Sequence, residues 1–368
     1  MKTAMLENPY RLLTPLLILL AFRPAGGLPV ARGTPPEGAG ARHRTELPGG
    51  FELTEGYIAS TPHVRIHYVA AGSGPLLVMI HGFADYWYTW RYQIPALARH
   101  YRVVAIDLRG YNLSSQPEEV SQYETAKLMG DLTAVLDHFE ARRAILVGHD
   151  WGGFLAWEYA MRHPKRVARL VVLGAAHPQA AVAALKDDRR HLRQKAGTSP
   201  KDRFSEETLM KWTPTRLAAW VRDPLDRQRY VEMLQRTSVQ AMANHYRARY
   251  RSPDESRVEI SQRRVECPVF LVQGLRDRRV RPELIEPTWR YVGADLTVCW
   301  VPRTGHVVHR ELPEWFNRRL LGWLGKPAPS ASDIPLSEGD SAGSHRSIRE
   351  AARPRRPVRR EPYERFRR

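Results

Sequence analysis

Six short, largely apolar runs limit what this chain can fold into. They are LLVMI (76–80), YRVVAID (101–107), AILV (144–147), VARLVVL (167–173), VFLVQ (269–273) and LTVCWV (296–301). Each is too short for a helix with one buried stripe, and most show no polar alternation. Such runs read as strands covered on both faces. Between and after them lie segments with helical spacing, at 90–100, 126–139, 152–161 and 315–324. In the second of these, Leu128, Leu132, Val135, Leu136 and Phe139 share one face. Strands alternating with helices predict an α/β fold, a mostly parallel sheet flanked by helices. A seventh run, VRIHYVA (64–70), alternates apolar and polar and predicts a half-exposed strand, followed by the turn Gly72-Ser73-Gly74-Pro75. The rhythm breaks between 177 and 262, where the chain is charged and helical with no buried-strand run. That stretch predicts a helical cap inserted into the sheet domain.

The expected organisation is therefore a core of two parts, 46–176 and 263–326, around a cap at 177–262. Residues 1–45 read as a leader. An apolar run at 12–22 follows Lys2, but Thr14 and Pro15 interrupt it and no clean small-x-small cleavage site follows. A weak export signal, an uncleaved anchor and a disordered leader on a cytoplasmic protein all fit, so localisation stays open. The run falls short of the ~20 apolar residues a spanning helix needs, which excludes a multi-span membrane protein. Residues 327–368 are rich in Pro, Ser, Gly, Asp and Arg and predict a disordered tail. The chain carries a net charge of +18, of which +7 comes from the ten Arg and three Glu of residues 344–368. A basic tail can meet nucleic acid or an anionic membrane through phosphates. With only Tyr363 and Phe366 there, no stacking platform is visible, and a solvated tail is the expected reading. The two cysteines, Cys267 and Cys299, exclude a disulfide scaffold and a Cys-rich zinc module, and predict two buried thiols. Nothing indicates the oligomeric state.

The chemistry concentrates at Gly148-His149-Asp150-Trp151-Gly152-Gly153, between a buried strand and a helix. This is the form of a nucleophile elbow, with Asp in the usual place of Ser. The glycines are needed because side chains there would collide with the neighbouring strand and helix. An Asp that merely caps a helix does not require glycines on both sides. A nucleophilic Asp forms an ester, and its hydrolysis needs a base held by an acid. His306 follows the last strand, and Asp277 follows the strand before it. Both then lie at carboxyl ends of strands, where an open α/β sheet carries its site. The order nucleophile, acid, histidine is the α/β-hydrolase order. His309 is a weaker rival for the base. His149 is expected to point its side chain away from the site. His81-Gly82-Phe83 follows the strand at 76–80. Phe83 N–H and Trp151 N–H are the expected oxyanion-hole donors, with His81 and Gly82 supporting the loop.

These motifs, with Asp85-Tyr86-Trp87-Tyr88-Thr89-Trp90-Arg91, Asp107-Leu108-Arg109-Gly110-Tyr111 and Gly305-His306, resemble the epoxide hydrolases of the α/β-hydrolase fold. The resemblance runs from about residue 51 to 324. In the cap, Ala243-Asn244-His245-Tyr246-Arg247 is similar to the family segment that carries a cap tyrosine. The resemblance implies a two-step reaction on a small apolar epoxide. Asp150 opens the ring, Tyr246 serves the departing oxygen, and His306, oriented by Asp277, activates water to release a diol. It implies no metal and no organic cofactor.

Two features depart from the family pattern. Ala84 stands where the family usually has proline after His-Gly-aromatic. No tyrosine lies between His177 and Arg229, where the first of two cap tyrosines would fall; Tyr230 and Tyr250 come later. The same Asp-His-Asp set also serves hydrolytic dehalogenases. Those typically carry Asn at the position of Phe83, or Arg at that of Trp151. A non-catalytic binding protein on this fold is the third reading. Trp87, Trp90, Trp212 and Trp220 are candidates to line or support a pocket.

Overall fold

A computed structural model of the protein describes residues 43–47, 50–187, 205–249 and 261–325. The leader before residue 43 and the basic tail lie outside the described residues, as does Tyr250. Among the described residues, nine strands form one sheet in the order β1-β2-β3-β5-β4-β6-β7-β8-β9. They are β1 (His43–Leu47), β2 (Phe51–Thr61), β3 (Val64–Ala71), β4 (Leu76–Ile80), β5 (Arg102–Ile106), β6 (Ala144–His149), β7 (Val167–Leu173), β8 (Val269–Gly274) and β9 (Leu296–Val301). The first three and β5 pair antiparallel, and from β5 onward all pairs are parallel. The apolar runs behave as read: β4, β6 and β8 are buried along their whole length. Each fully buried Val, Leu or Ile contributes about 1.5–3 kcal/mol of apolar burial. β9 is half-exposed because it forms an edge of the sheet.

Helix α1 (Thr125–His138) buries Leu128, Met129, Leu132, Val135 and Leu136. Helix α2 (Trp151–Arg162) leaves the end of β6, and α3 (Pro178–Asp187) follows β7. Helices α4 (Pro224–Arg236) and α5 (Val239–Arg249) lie between β7 and β8, within the stretch read as a cap. The closing helix α6 (Pro313–Trp323) buries Phe316, Leu320 and Leu321.

Four sequence expectations need correcting. The sheet begins at His43, inside the stretch assigned to the leader, because β1 pairs with β2 from His43 opposite Glu55 to Leu47 opposite Phe51. β3 is not half-exposed: His67 is fully buried, and its Nδ1 lies 2.7 Å from Asp107 Oδ2. A polar residue in the alternation therefore marked an internal ion pair rather than a wet face. The carboxylates of Asp107 and Glu55 raise the His67 pKa to about 9, against the burial that alone would lower it. The 90–100 segment forms only a 3-10 turn, Trp87–Trp90, and one α turn, Ile94–Leu97. Both cysteines are free, but only Cys267 is buried; Cys299 sits on the half-exposed β9.

Candidate active site

The order of the sheet turns around at β4, which has β5 on one side and β6 on the other. An open α/β sheet binds ligands at such a point, outside the carboxyl ends of its strands. The loop after β4 and the elbow after β6 meet there. A Cβ on Gly82 would come within 2.7 Å of the Asp150 Cβ. A Cβ on Gly148 would lie 2.4 Å from the Gly152 carbonyl oxygen, and one on Gly152 2.3 Å from that of Ile80. Only hydrogen fits at these three positions, which is the steric reason the elbow is built from glycine. Asp150 itself has φ +51°, a backbone that L residues avoid at a cost of about 1–3 kcal/mol.

The tight turn aims the Asp150 carboxylate at two partners. Oδ1 accepts the Phe83 N–H at 2.9 Å, and Oδ2 lies 3.0 Å from His306 Nε2. The other ring nitrogen of His306 donates to Asp277 Oδ2 at 2.8 Å. Asp277 is held in turn by the N–H groups of Arg279 (2.7 Å) and Val280 (3.1 Å) on its Oδ1, and by Gln273 Nε2 (3.1 Å) on Oδ2. Asp150, His306 and Asp277 thus form one hydrogen-bonded line. The Asp277 side chain is fully buried, while those of His306 and Asp150 keep 13 % and 19 % exposure, so a ligand can reach the first two members from the cavity.

The charges follow from this line. Burial alone would lower the His306 pKa, but the hydrogen bonds to Asp150 and Asp277 and the two carboxylate charges raise it to about 9. Burial alone would raise the Asp150 pKa, and the hydrogen bond and charge of His306 hold it far below the ordinary carboxylate range instead. Asp277 is shifted the same way, burial being outweighed by His306 and the two backbone N–H groups.

Other candidates fall into place around the line. His81 accepts the Leu108 N–H on Nε2 (2.9 Å), so its Nδ1–H donates to the Gly82 carbonyl (2.8 Å). Burial lowers its pKa, and it remains a neutral brace of the Gly82-Phe83 loop. Ala84 adopts φ +54°, and no cis peptide bond occurs among the described residues. The Trp151 N–H opens α2 and, among the described residues, donates to no carboxylate oxygen of Asp150. His309 faces away from the line: it is fully buried, hydrogen-bonds with Thr89 Oγ1 at 2.9 Å and packs on Trp90. His149 does not leave the site. Its Nε2–H donates to the His306 carbonyl at 3.0 Å, and the two rings lie 4.7 Å apart. Burial and the His306 charge lower the His149 pKa to about 4, so it backs His306 as a neutral ring. No local pattern could have revealed this, because His149 ends β6 and His306 follows β9, 157 residues later in the chain.

A cavity of about 950 Å³ opens over Asp150 and His306, with Phe83, Trp220, Tyr92 and Leu312 in its walls. Tyr246 does not line it. Its ring instead packs 5.5 Å from Phe83 and 5.2 Å from Trp151. Trp212 packs edge-on to Phe83 at 5.1 Å, whereas Trp87 and Trp90 are buried. Tyr230 is fully buried, donates to Asp85 Oδ1 (2.7 Å) and accepts from Arg310 (2.9 Å). Among the described residues, no group of three or more His, Cys, Asp or Glu side chains is placed to hold a metal ion. No helix among them is long and apolar enough to cross a membrane.

Residues 75–307 match the family described as the alpha/beta hydrolase fold. The chain belongs to this family. This α/β hydrolase is 45% identical to epoxide hydrolase 3 of Xenopus tropicalis over 119 residues, 32% of each chain. It is 29% identical to human epoxide hydrolase 4 over 283 residues, 71% of this chain and 76% of that protein. The stretches matched in the first curated relatives span only 22% to 34% of those proteins' lengths. Among solved structures, an epoxide hydrolase from Bacillus megaterium in complex with an inhibitor superposes with a TM-score of 0.67 at 27% identity, covering 73% of this chain and 100% of that one.

One residue of this α/β hydrolase had no signal of its own in the sequence beyond its place beside Tyr246. His245 Nδ1 accepts the Trp151 indole N–H at 2.9 Å, and its Nε2–H donates to the Arg109 carbonyl at 2.7 Å. Burial lowers its pKa to about 3, so it is a neutral clamp between α5, the elbow tryptophan and the loop after β5. His245→Phe fills the space but strands two buried polar groups, at about 1–3 kcal/mol each. We expect a loss of about 2–6 kcal/mol in chemical denaturation. A variant as stable as the wild type would refute the clamp.

Proposed function

We propose that this protein hydrolyses epoxides to diols through an aspartyl ester. The observation that carries the proposal is the continuous line from Asp150 through His306 to Asp277, with the outer Asp150 oxygen held by the Phe83 N–H. A carboxylate fixed in this way is a nucleophile with a preorganised oxyanion position. The likeness to epoxide hydrolases supports the choice of reaction.

In this reading Asp150 Oδ2 attacks a ring carbon, and the carbon–oxygen bond of the epoxide breaks. Tyr246, whose ring packs on Phe83 and Trp151 outside the cavity lining, must turn toward Asp150 to give its proton to the departing alkoxide. Water then attacks the ester carbon while His306 takes its proton, with Asp277 holding the imidazolium in orientation. Negative charge collects on Oδ1, where Phe83 N–H already donates, and the Trp151 N–H at the start of α2 is the second donor. The ester collapses to the diol and the free carboxylate, and the proton on His306 returns to Tyr246 through solvent. The partner is therefore a small molecule that fits the cavity. Incubation with terminal, aryl and alkyl epoxides is expected to yield diols, read by mass spectrometry. Halide release from haloalkanes without diol from any epoxide would replace this reading with dehalogenation.

A further inference from the structure

The loop after β4 is fastened at two points. At the first, the Phe83 N–H reaches Asp150 Oδ1 at 2.9 Å. At the second, the buried Asp85 accepts the Tyr86 N–H at 2.9 Å and the Tyr230 hydroxyl at 2.7 Å, both on Oδ1. Between these points Ala84 holds φ +54°. An L residue keeps such a backbone only where its surroundings fix it. A loop held at Phe83 alone can relax by returning Ala84 to negative φ, and that rotation shifts the Phe83 N–H relative to Asp150.

Tyr230 lies on α4, in the stretch read as the cap, 145 residues along the chain from Asp85. Its ring is fully buried, edge-on to Tyr86 at 5.1 Å and to Trp220 at 5.5 Å. Its oxygen also accepts from Arg310 Nη1 at 2.9 Å. Arg310 sits on the short helix after His306, and its guanidinium lies 4.9 Å from the Tyr230 ring and 4.4 Å from that of Trp220. A phenol hydroxyl has one proton to give and lone pairs to receive one. Here the proton goes to a carboxylate and a lone pair to a guanidinium, so both bonds are charge-assisted. One buried oxygen thereby spans the loop that carries Phe83 and the segment that follows His306. Tyr230 does not line the cavity, so its hydroxyl touches no substrate. The same helix has other ties to this part of the core. The Tyr88 hydroxyl donates to Asp226 at 3.0 Å and accepts from Arg229, and Asp226 pairs with Arg91. Those ties dock α4 but reach only residues beyond Asp85.

We propose that Tyr230 is a positioning residue for the hydrolytic step: its hydroxyl pins Asp85, and with it the Ala84 turn that aims the Phe83 N–H at Asp150. The inference rests on the reading of Asp150 as an ester-forming nucleophile given above. Negative charge collects on the Asp150 carbonyl oxygen when water attacks the ester, so a displaced donor slows that step most. Ester formation disperses the carboxylate charge instead and needs the donor less. The docking of α4 is thus part of what readies the site for hydrolysis.

The test is Tyr230→Phe, which keeps the ring and removes only the hydroxyl. Hydrogen exchange at the Phe83 amide is expected to rise at least about tenfold as the loop opens. In single-turnover experiments with a terminal aryl epoxide, ester decay should slow about tenfold, less than the roughly 10²–10³ that follows outright loss of an oxyanion donor, while ester formation changes by less than about threefold. Asp85→Ala cuts the same bond from the other side and should slow decay at least as much, with the double variant no slower than Asp85→Ala alone. Asp85→Asn keeps an oxygen for both donors and should stay within about twofold of the wild type. Tyr88→Phe is the control for cap docking. It loosens α4 and lowers the melting temperature, and it leaves Phe83 exchange and ester decay as in the wild type. Unchanged exchange and decay in Tyr230→Phe overturn the positioning role and leave the epoxide reading standing. So does an equal slowing in Tyr88→Phe. If the wild type forms no ester with any epoxide, the epoxide reading falls, and exchange at Phe83 still decides whether Tyr230 holds the loop.

Discussion

Asp150→Asn should lose diol formation by about 10⁴-fold or more, the scale on which removing one member of a nucleophile–base unit acts. The substitution is nearly isosteric. The side-chain oxygen can still accept the Phe83 N–H, and the glycine contacts that shape the elbow are untouched. Folding is therefore expected to survive, and the melting temperature should stay within a few degrees of the wild type. What disappears is a carboxylate able to attack carbon. The variant also changes the base. With the Asp150 charge gone, the hydrogen bond and charge that did most to raise the His306 pKa are lost, and it should titrate clearly below the value of about 9 set by both carboxylates. Nuclear magnetic resonance of the imidazole reads that shift. Wild-type rates in Asp150→Asn would remove this residue from the chemistry altogether.

His306→Gln should separate the two steps. Asp150 keeps its oxyanion donor and attacks the epoxide, but no group remains to activate water. The expected result is one covalent adduct per protein molecule, seen as a mass increase equal to the epoxide, followed by little or no steady turnover. Full turnover without an adduct would show that another group activates the water. The wild type carries a related pH signature. In the proposed reaction, hydrolysis needs neutral His306, and forming the ester cancels the Asp150 charge that favoured the proton. The pKa of His306 thus falls between the free enzyme and the intermediate, leaving Asp277 as the remaining raising influence. Ester decay in a single-turnover experiment should rise with pH through a midpoint below about 9 and be flat above it. Decay that slows as pH rises would contradict general-base action.

Much of the scaffold is legible one segment at a time. Leu76–Ile80 and Val269–Gly274 announce buried strands because a parallel sheet covered on both faces leaves few positions for a polar side chain, Gln273 being buried against Asp277. Gly148 and Gly152 announce the elbow because the clash they avoid is with backbone only a few residues away or on the next strand. The β1–β2 pair carries no such signal, since neither strand is a continuous apolar run: β2 alternates and half-exposes its surface. His67 is ambiguous in sequence for a related reason. Alternation reports polarity, and a polar residue facing Asp107 looks in sequence like one facing water.

The strand-and-helix rhythm, the backbone turn at Asp150 and the order of Asp150, Asp277 and His306 follow from the residues along the chain. Those properties depend on local sterics and on burial averaged over short runs. Tertiary structure alone brings His306 rather than His309 to both carboxylates, sets His149 behind it, and ties α5 to Trp151 through His245. Each of these joins residues on different strand ends or on the cap. Their meeting is set by strand order and parallel register, and pairing of that kind leaves no trace in the spacing of residues along the chain.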